Sequence, residues 1–258
     1  MALIQCGFYS EMLGFATSMN VIVPQTLGGA AGKRVYPVLY LLHGLTDDHT
    51  AWLRYSSVER YAAARGLAVV MPEAHRSFYS DMDRYRRYWT FVSEELPTIA
   101  ESLFPVADSR RQRYAAGLSM GGYGALKLAL GRPDRYYAAA SLSGVTDLGA
   151  IGSFMGDEAE MVYGGRPPAG SDGDLFELAR RVAGSDGPRP LLYQCCGTED
   201  ELYGENVRFR DHAAGLGLNL HYEEEPGGHD WDYWDRNIRR VIDWLPLGPD
   251  AGPAREES

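Results

Sequence analysis

From Val35 onward, short apolar runs of strand length alternate with longer segments of helical periodicity. The runs, in chain order, are VYPVLYLL, LAVVM, RYAAGL, YYAAASL, PLLYQCC and LNLHYEEE. Apolar strands separated by helix-length segments are typical of a parallel sheet with helical crossovers. Residues 2–10 and 15–24 instead form two β-patterned segments around a short polar turn, which predicts an antiparallel hairpin. The sequence thus predicts an α/β fold: a mostly parallel central sheet, an antiparallel N-terminal hairpin and helices on both faces.

The length of 258 residues is near the upper end for one α/β domain, so we expect a single domain over residues 1–246. Residues 145–188 break the strand rhythm with Gly- and Pro-rich stretches. We interpret them as an insertion between two core strands, with short helices, and as a candidate lid. The polar tail 247–258 is predicted to be disordered.

Two local signals bear on individual helices. Ser56 and Glu59 have the spacing of a capping box at the start of VERYAAAR, and Gly66 follows as a stop. Pro97 lies inside the helical pattern of residues 88–104, where its missing N–H should kink or divide the helix.

Charge and cysteine usage exclude several function classes. With 25 Lys and Arg against 35 Asp and Glu, the net charge of −10 repels phosphate backbones, so no nucleic acid partner is expected. The cysteines, Cys6, Cys195 and Cys196, indicate neither a disulfide framework nor a zinc site. We expect no metal and no cofactor.

The N-terminus lacks a basic, apolar leader and no apolar run could span a bilayer, which predicts a cytoplasmic protein without membrane attachment.

The pentapeptide GLSMG places Ser119 between the strand RYAAGL and the apolar helix YGALKLAL. So tight a corner needs small neighbours, which Gly117 and Gly121 supply. Serine is also a common N-cap, and the bare pentapeptide is frequent by chance. Its position between a strand and a helix favours a nucleophile elbow.

A serine hydroxyl needs a base to take its proton and a carboxylate to orient that base. His229, in the loop after the last strand, is the predicted base, and Asp200, after the preceding strand, is the predicted acid. The chain order of serine, acid and histidine is that of an α/β-hydrolase. Glu199 and Asp147 remain alternatives for the acid, and Asp200 could also serve as a helix N-cap. The competing histidines are His43, His49, His75, His212 and His221.

Charge that develops on the substrate oxygen needs donors already in place. The N–H of Met120 is one predicted donor, because it follows the nucleophile. The N–H of Leu45, in the loop after the first parallel strand, is the second; the alternative is a plain strand-end turn. The side chains of His43, Trp89 and Trp231 are predicted to contact substrate.

Five segments in this order resemble the putative-esterase family of α/β-hydrolases: HGLTDDHTAW, VVMPEAHRSFYSD, GLSMGGYGALKLAL, CGTEDELY and GGHDWDYW. The likeness is to tributyrin esterases in particular, and more distantly to S-formylglutathione hydrolases and mycolyltransferases. It implies cofactor-free hydrolysis of small-molecule, short-chain esters through an acyl-enzyme, with Ser119, Asp200 and His229 as the triad and Leu45 and Met120 as the oxyanion hole.

The same residues are also compatible with other functions. A thioesterase or an acyltransferase would use the same triad, and a noncatalytic binding protein could keep the fold. A homodimer is also expected from the resemblance.

Overall fold

The computed structural model describes residues 1–25, 35–82, 86–150, 155–164 and 170–248. The chain begins with two antiparallel strands, β1 (Ala2–Ser10) and β2 (Phe15–Val23). Gly14, whose φ is 74°, lies in the turn that joins them and donates its N–H to Ser10. The predicted N-terminal hairpin is therefore confirmed.

Within the described residues the sheet has eight strands in the order β1-β2-β4-β3-β5-β6-β7-β8. The later strands are β3 (Val38–Leu42), β4 (Ala68–Pro72), β5 (Arg113–Leu118), β6 (Ala138–Leu142), β7 (Leu191–Gly197) and β8 (Leu220–Glu225). β2 pairs antiparallel with β4, and every pairing from β4 to β8 is parallel. The α/β-hydrolase architecture predicted from the alternating pattern is confirmed.

Helices cover both faces of this sheet. They are α1 (Ala51–Tyr55), α2 (Val58–Arg65), α3 (Tyr88–Thr90), α4 (Leu96–Leu103), α5 (Met120–Gly131), α6 (Asp157–Tyr163), α7 (Leu175–Ala183), α8 (Tyr203–Gly215) and α9 (Trp231–Trp244). A π-helical turn, Phe91–Glu95, lies between α3 and α4. Pro97 stands in the first turn of α4, directly after the π-helical turn, so the segment stays helical from Tyr88 to Leu103 but changes its hydrogen-bonding pattern just before the proline.

The core is split by the sheet into two layers. Along β3, Val38, Tyr40 and Leu42 face the layer that includes α5, α7 and α8, whereas Leu39 and Leu41 face the layer of α1, α2 and α9. Because both faces of β3 are buried, its apolar residues run without alternation, as in any covered parallel strand. Each such side chain contributes roughly 1.5–3 kcal/mol when fully buried.

The segment between β6 and β7 holds a short 3₁₀ turn (Leu148–Ala150), α6 and α7. α7 buries Leu175, Leu178 and Val182 in the main core, so this part of the predicted insertion packs as a component of the hydrophobic core. Residues 151–154 and 165–169 of the candidate lid, and residues 249–258 of the tail, lie outside the described residues. Among the described helices, none has the length and apolar character needed to cross a membrane.

Candidate active site

Ser119 stands at a strained corner between β5 and α5, with φ 52° and ψ −119°. A positive φ costs a residue other than glycine roughly 1–3 kcal/mol, and such strain concentrates at functional sites. The corner is fixed by the Ser119 N–H, which donates to the Leu142 carbonyl at 3.0 Å. A Cβ on Gly121 would lie 2.4 Å from the Leu42 carbonyl oxygen, so only glycine fits here. The hydroxyl is thereby held at the carboxyl edge of the sheet.

The loops after β7 and β8 lie against each other at the same edge. A Cβ on Gly197 would lie 2.1 Å from the carbonyl oxygen of Gly227, and that oxygen accepts the N–H of Glu199 at 3.1 Å. This close main-chain contact brings Asp200, on the first loop, next to His229, on the second.

The three side chains form a hydrogen-bonded line. His229 Nδ1 donates to Asp200 Oδ2 at 2.9 Å, and the Ser119 hydroxyl donates to His229 Nε2 at 3.1 Å. The Asp200 side chain is fully buried, whereas 26% of the His229 side chain is exposed. Burial raises the pKa of Asp200, but the hydrogen bond and charge of His229 and the Leu202 N–H lower it more, so its pKa falls below the ordinary value. The acid thus stays ionised beside the imidazole.

The other acids proposed from the sequence lie elsewhere. Asp147 pairs with Arg208 at 3.0 Å, and Glu199 is exposed. Asp200 also accepts the Leu202 N–H at 2.8 Å, so one carboxylate can accept a main-chain N–H before α8 and the His229 ring N–H at the same time.

The two predicted oxyanion donors are placed next to Ser119. Within the described ranges, neither the Leu45 N–H nor the Met120 N–H donates to another main-chain group. Met120 is the first residue of α5, and a Cβ on Gly44 would lie 3.7 Å from the Ser119 Cβ, so the loop that carries Leu45 passes beside Ser119. Their role as donors stays a prediction.

A cavity of about 510 Å³ opens on the hydroxyl and the imidazole. It is lined by Gly44, Leu45, Thr46, Asp47, Phe78, Leu118, Ser119, Val145, Glu201, Leu202, His229, Asp230, Trp231 and Trp234. Trp231 is thus at the cavity, as predicted. His43 and Trp89 are not: His43 is only 1% exposed, and Trp89 packs its ring 4.8 Å from the Lys127 ammonium.

The sequence profile of the family described as "Putative esterase" matches residues 10–244. This chain belongs to that family. The esterase is 30% identical over 261 residues to an acetyl esterase of Caldicellulosiruptor saccharolyticus, covering 95% of this chain and 98% of the relative. The resemblance stated from the sequence is confirmed, and the protein is a serine hydrolase that acts on small-molecule carboxylic esters.

Comparison with solved structures also identifies serine hydrolases as similar proteins. The esterase superposes with a TM-score of 0.90 and 32% identity on the fluorophosphonate-binding serine hydrolase FphF of Staphylococcus aureus, covering 95% of this chain and 98% of that one. A structure named S-formylglutathione hydrolase (FrmB), also from Staphylococcus aureus, gives a TM-score of 0.88 at 32% identity, with the same coverage.

Two cavity residues of the esterase, Phe78 and Val145, were missed from the sequence. Phe78 enters from the loop after β4 and Val145 from the loop after β6. The cavity also includes Trp234 of α9, an aromatic residue that the sequence offers as a pocket former; the centroid of its ring lies 4.9 Å from that of His229. Phe78 has a φ of 48°, a strained conformation that no local sequence motif predicts. The available signal was position: Phe78 and Val145 both follow strands whose carboxyl ends share the edge with Ser119.

One group in the described part of the esterase has the composition of a metal site. Asp48, His49 and Glu73 each place a ligand atom within 4.8 Å of the others. These atoms already bond one another or their neighbours: His49 Nδ1 lies 3.0 Å from Glu73 Oε2, and Asp48 Oδ1 accepts the N–H of Thr50 at 2.8 Å. Hydrogen bonding therefore accounts for the cluster.

Proposed function

We propose that Ser119 is the nucleophile, His229 the general base and Asp200 its orienting acid in the hydrolysis of short-chain carboxylic esters. The observation that carries the proposal is the continuous line of hydrogen bonds from the buried Asp200 carboxylate through His229 to the Ser119 hydroxyl. A hydroxyl bonded to a base that is itself held by a carboxylate is the arrangement that makes serine reactive.

The chemistry follows from these positions. The Ser119 oxygen attacks the acyl carbon as its proton passes to His229 Nε2, and the negative oxygen rests on the N–H groups of Leu45 and Met120. The ester C–O bond then breaks, and His229 returns the proton to the leaving alcohol. Water next gives a proton to His229 and attacks the acyl-enzyme, which releases the acid and restores the hydroxyl.

The cavity accommodates short acyl groups. Its wall is largely apolar, with Phe78, Leu118, Val145 and Trp231 around the hydroxyl, and it holds about 510 Å³ for the acyl and alcohol parts together. The relative named acetyl esterase supports the same substrate class. We therefore expect kcat/KM to decline from acetate and butyrate esters to octanoate esters.

The test compares Ser119→Ala with Ser102→Ala, which removes an exposed hydroxyl on α4. Turnover of p-nitrophenyl acetate and labelling by a fluorophosphonate probe should both disappear in the first variant and persist in the second. Retained turnover in Ser119→Ala would contradict the assignment. A protein that fails to label at all would support a noncatalytic role instead.

A second candidate activity is thioester hydrolysis, which the similarity to the structure named S-formylglutathione hydrolase favours. Rates on matched acetyl thioesters and oxygen esters separate the two substrate classes. Adding an acceptor alcohol and analysing the products shows whether acyl transfer competes with hydrolysis.

We also propose that the enzyme is cytoplasmic and forms a homodimer. All three cysteines are free thiols, which suits a reducing compartment. The edge strand β1 exposes 47% of Leu3 and 64% of Tyr9, a surface suited to self-association. Light scattering that gives a monomer mass, or recovery from a non-cytoplasmic fraction, contradicts the respective proposal.

A further inference from the structure

His43 lies directly after β3, buried beneath the loop that carries Leu45. Its Nδ1 is 2.7 Å from the carbonyl oxygen of Gly44, and its Nε2 is 3.0 Å from the main-chain N of Ala74. Both ring nitrogens are thus bonded to the main chain, one to the oxyanion loop and one to the loop after β4.

These partners fix where the ring proton lies. The Ala74 N–H can only donate, so Nε2 must accept and carries no proton. The proton is therefore on Nδ1, which donates to Gly44. Glu73 Oε1 is 3.4 Å from Nε2, but this oxygen accepts the His75 N–H at 2.7 Å.

The Gly44 carbonyl and the Leu45 N–H belong to one planar trans peptide, so they point in opposite directions. A donor that holds the carbonyl on the His43 side therefore turns the Leu45 N–H to the other side. The Asp47 N–H also reaches the Gly44 oxygen, at 3.2 Å, so this carbonyl is held from two directions.

We propose that His43 is a positioning residue that orients the Gly44–Leu45 peptide, and with it one donor of the oxyanion hole. This inference rests on the proposed function, because the Leu45 N–H matters only if a substrate oxygen develops charge beside it. It also gives His43 a different role from the substrate contact expected from the sequence.

Two substitutions separate the two hydrogen bonds of the ring. In His43→Asn, the amide nitrogen takes the place of Nδ1 and can still donate to Gly44. In His43→Gln, the amide oxygen takes the place of Nε2 and can still accept from Ala74, but the donor to Gly44 is lost. His221→Gln, at an exposed histidine far along the chain, is the matched control.

Removing an oxyanion donor costs about a hundred- to a thousandfold in kcat, so misorienting one should cost about ten- to a hundredfold. We expect that loss in His43→Gln, with KM unchanged and an equal drop in the rate of fluorophosphonate labelling, because both reactions place charge in the oxyanion hole. His43→Asn should lose clearly less of both rates. Melting temperatures should fall similarly in the two variants.

Equal kcat in the two variants, or a larger loss in His43→Asn, overturns the proposal. So does an NMR measurement on the unsubstituted enzyme that finds the His43 proton on Nε2, a result that does not depend on any variant folding. Failure of the proposed function would look different: Ser119→Ala would remain active, whatever the His43 variants do.

Discussion

Replacing Asp200 by Asn tests the triad with the smallest change of shape. The Asn carbonyl can still accept the Leu202 N–H, which the Asp200 carboxylate accepts at 2.8 Å, so the loop should keep its conformation. The amide NH₂ then faces His229 Nδ1, where the carboxylate oxygen lies at 2.9 Å. Two donors cannot share that contact, so the imidazole proton moves to Nε2.

The consequence falls on the Ser119 hydroxyl. With a proton on Nε2, the nitrogen 3.1 Å from the serine oxygen becomes a donor and can no longer accept the serine proton. In serine proteases the same substitution lowers kcat by about 10⁴, which is about 5.4 kcal/mol at 1.36 kcal/mol per tenfold. We expect a loss of that order here, with KM little changed because the cavity wall is untouched.

The assay is steady-state hydrolysis of p-nitrophenyl acetate, with Asp147→Asn as the control that removes the alternative acid. Circular dichroism and the melting temperature verify that both variants fold. If Asp200→Asn retains more than about a tenth of kcat, a loss below 1.4 kcal/mol, the assignment of Asp200 is refuted. A large loss in Asp147→Asn would point to that carboxylate instead.

Three further predictions concern packing, pH and substrate size. Gly121→Ala should sharply lower the melting temperature, because its methyl group would lie 2.4 Å from the Leu42 carbonyl oxygen. Gly7→Ala is the control and should change the melting temperature little, because a Cβ there has no neighbour within 4 Å. Equal melting temperatures in the two variants would contradict this prediction. Burial lowers the pKa of Lys127 from 10.5 to about 7, so between those pH values only the unfolded state holds the proton and the free energy of unfolding should rise with pH. Urea titrations at several pH values should lose that slope in Lys127→Met; an unchanged slope counts against the argument. Trp231→Ala should raise kcat/KM for octanoate relative to acetate esters by opening the cavity wall, and an unchanged ratio would exclude Trp231 from acyl selection.

The sequence predicted the parts of the site that follow from sheet geometry. Ser119, Asp200 and His229 were placed after separate parallel strands, and the carboxyl ends of such strands meet at one edge. The structure brings these side chains together for that reason. The corner at Ser119 was predictable because the glycines that it needs, Gly117 and Gly121, stand within two positions of the serine, although the atom that a Cβ on Gly121 would meet belongs to Leu42 on the neighbouring strand.

What escaped prediction depends on contacts between distant residues. Ser56 and Glu59 suggested a capping box, but the N-cap of α2 is Ser57, whose side chain makes no capping bond. The Ser57 main-chain N–H donates to the carboxylate of Asp235, 178 positions further along the chain. Trp89 was predicted to contact substrate, but its ring packs against Lys127 and does not line the cavity, a placement that depends on tertiary contacts.

The strained loop after β4 links α5, which follows Ser119, to the loop that carries Leu45. Lys127 on α5 donates to the Tyr79 carbonyl at 3.0 Å, and the Tyr79 hydroxyl donates to the His43 carbonyl at 2.9 Å. The His43 ring in turn donates to the Gly44 carbonyl. Phe78 and Tyr79 adopt positive φ values of 48° and 47°, which cost roughly 1–3 kcal/mol each. In this conformation the Tyr79 carbonyl faces α5 and the Tyr79 hydroxyl reaches the loop after β3. In the proposed mechanism this strain contributes to the preorganisation of the oxyanion hole, because donors fixed before the substrate arrives need no reorganisation as charge develops.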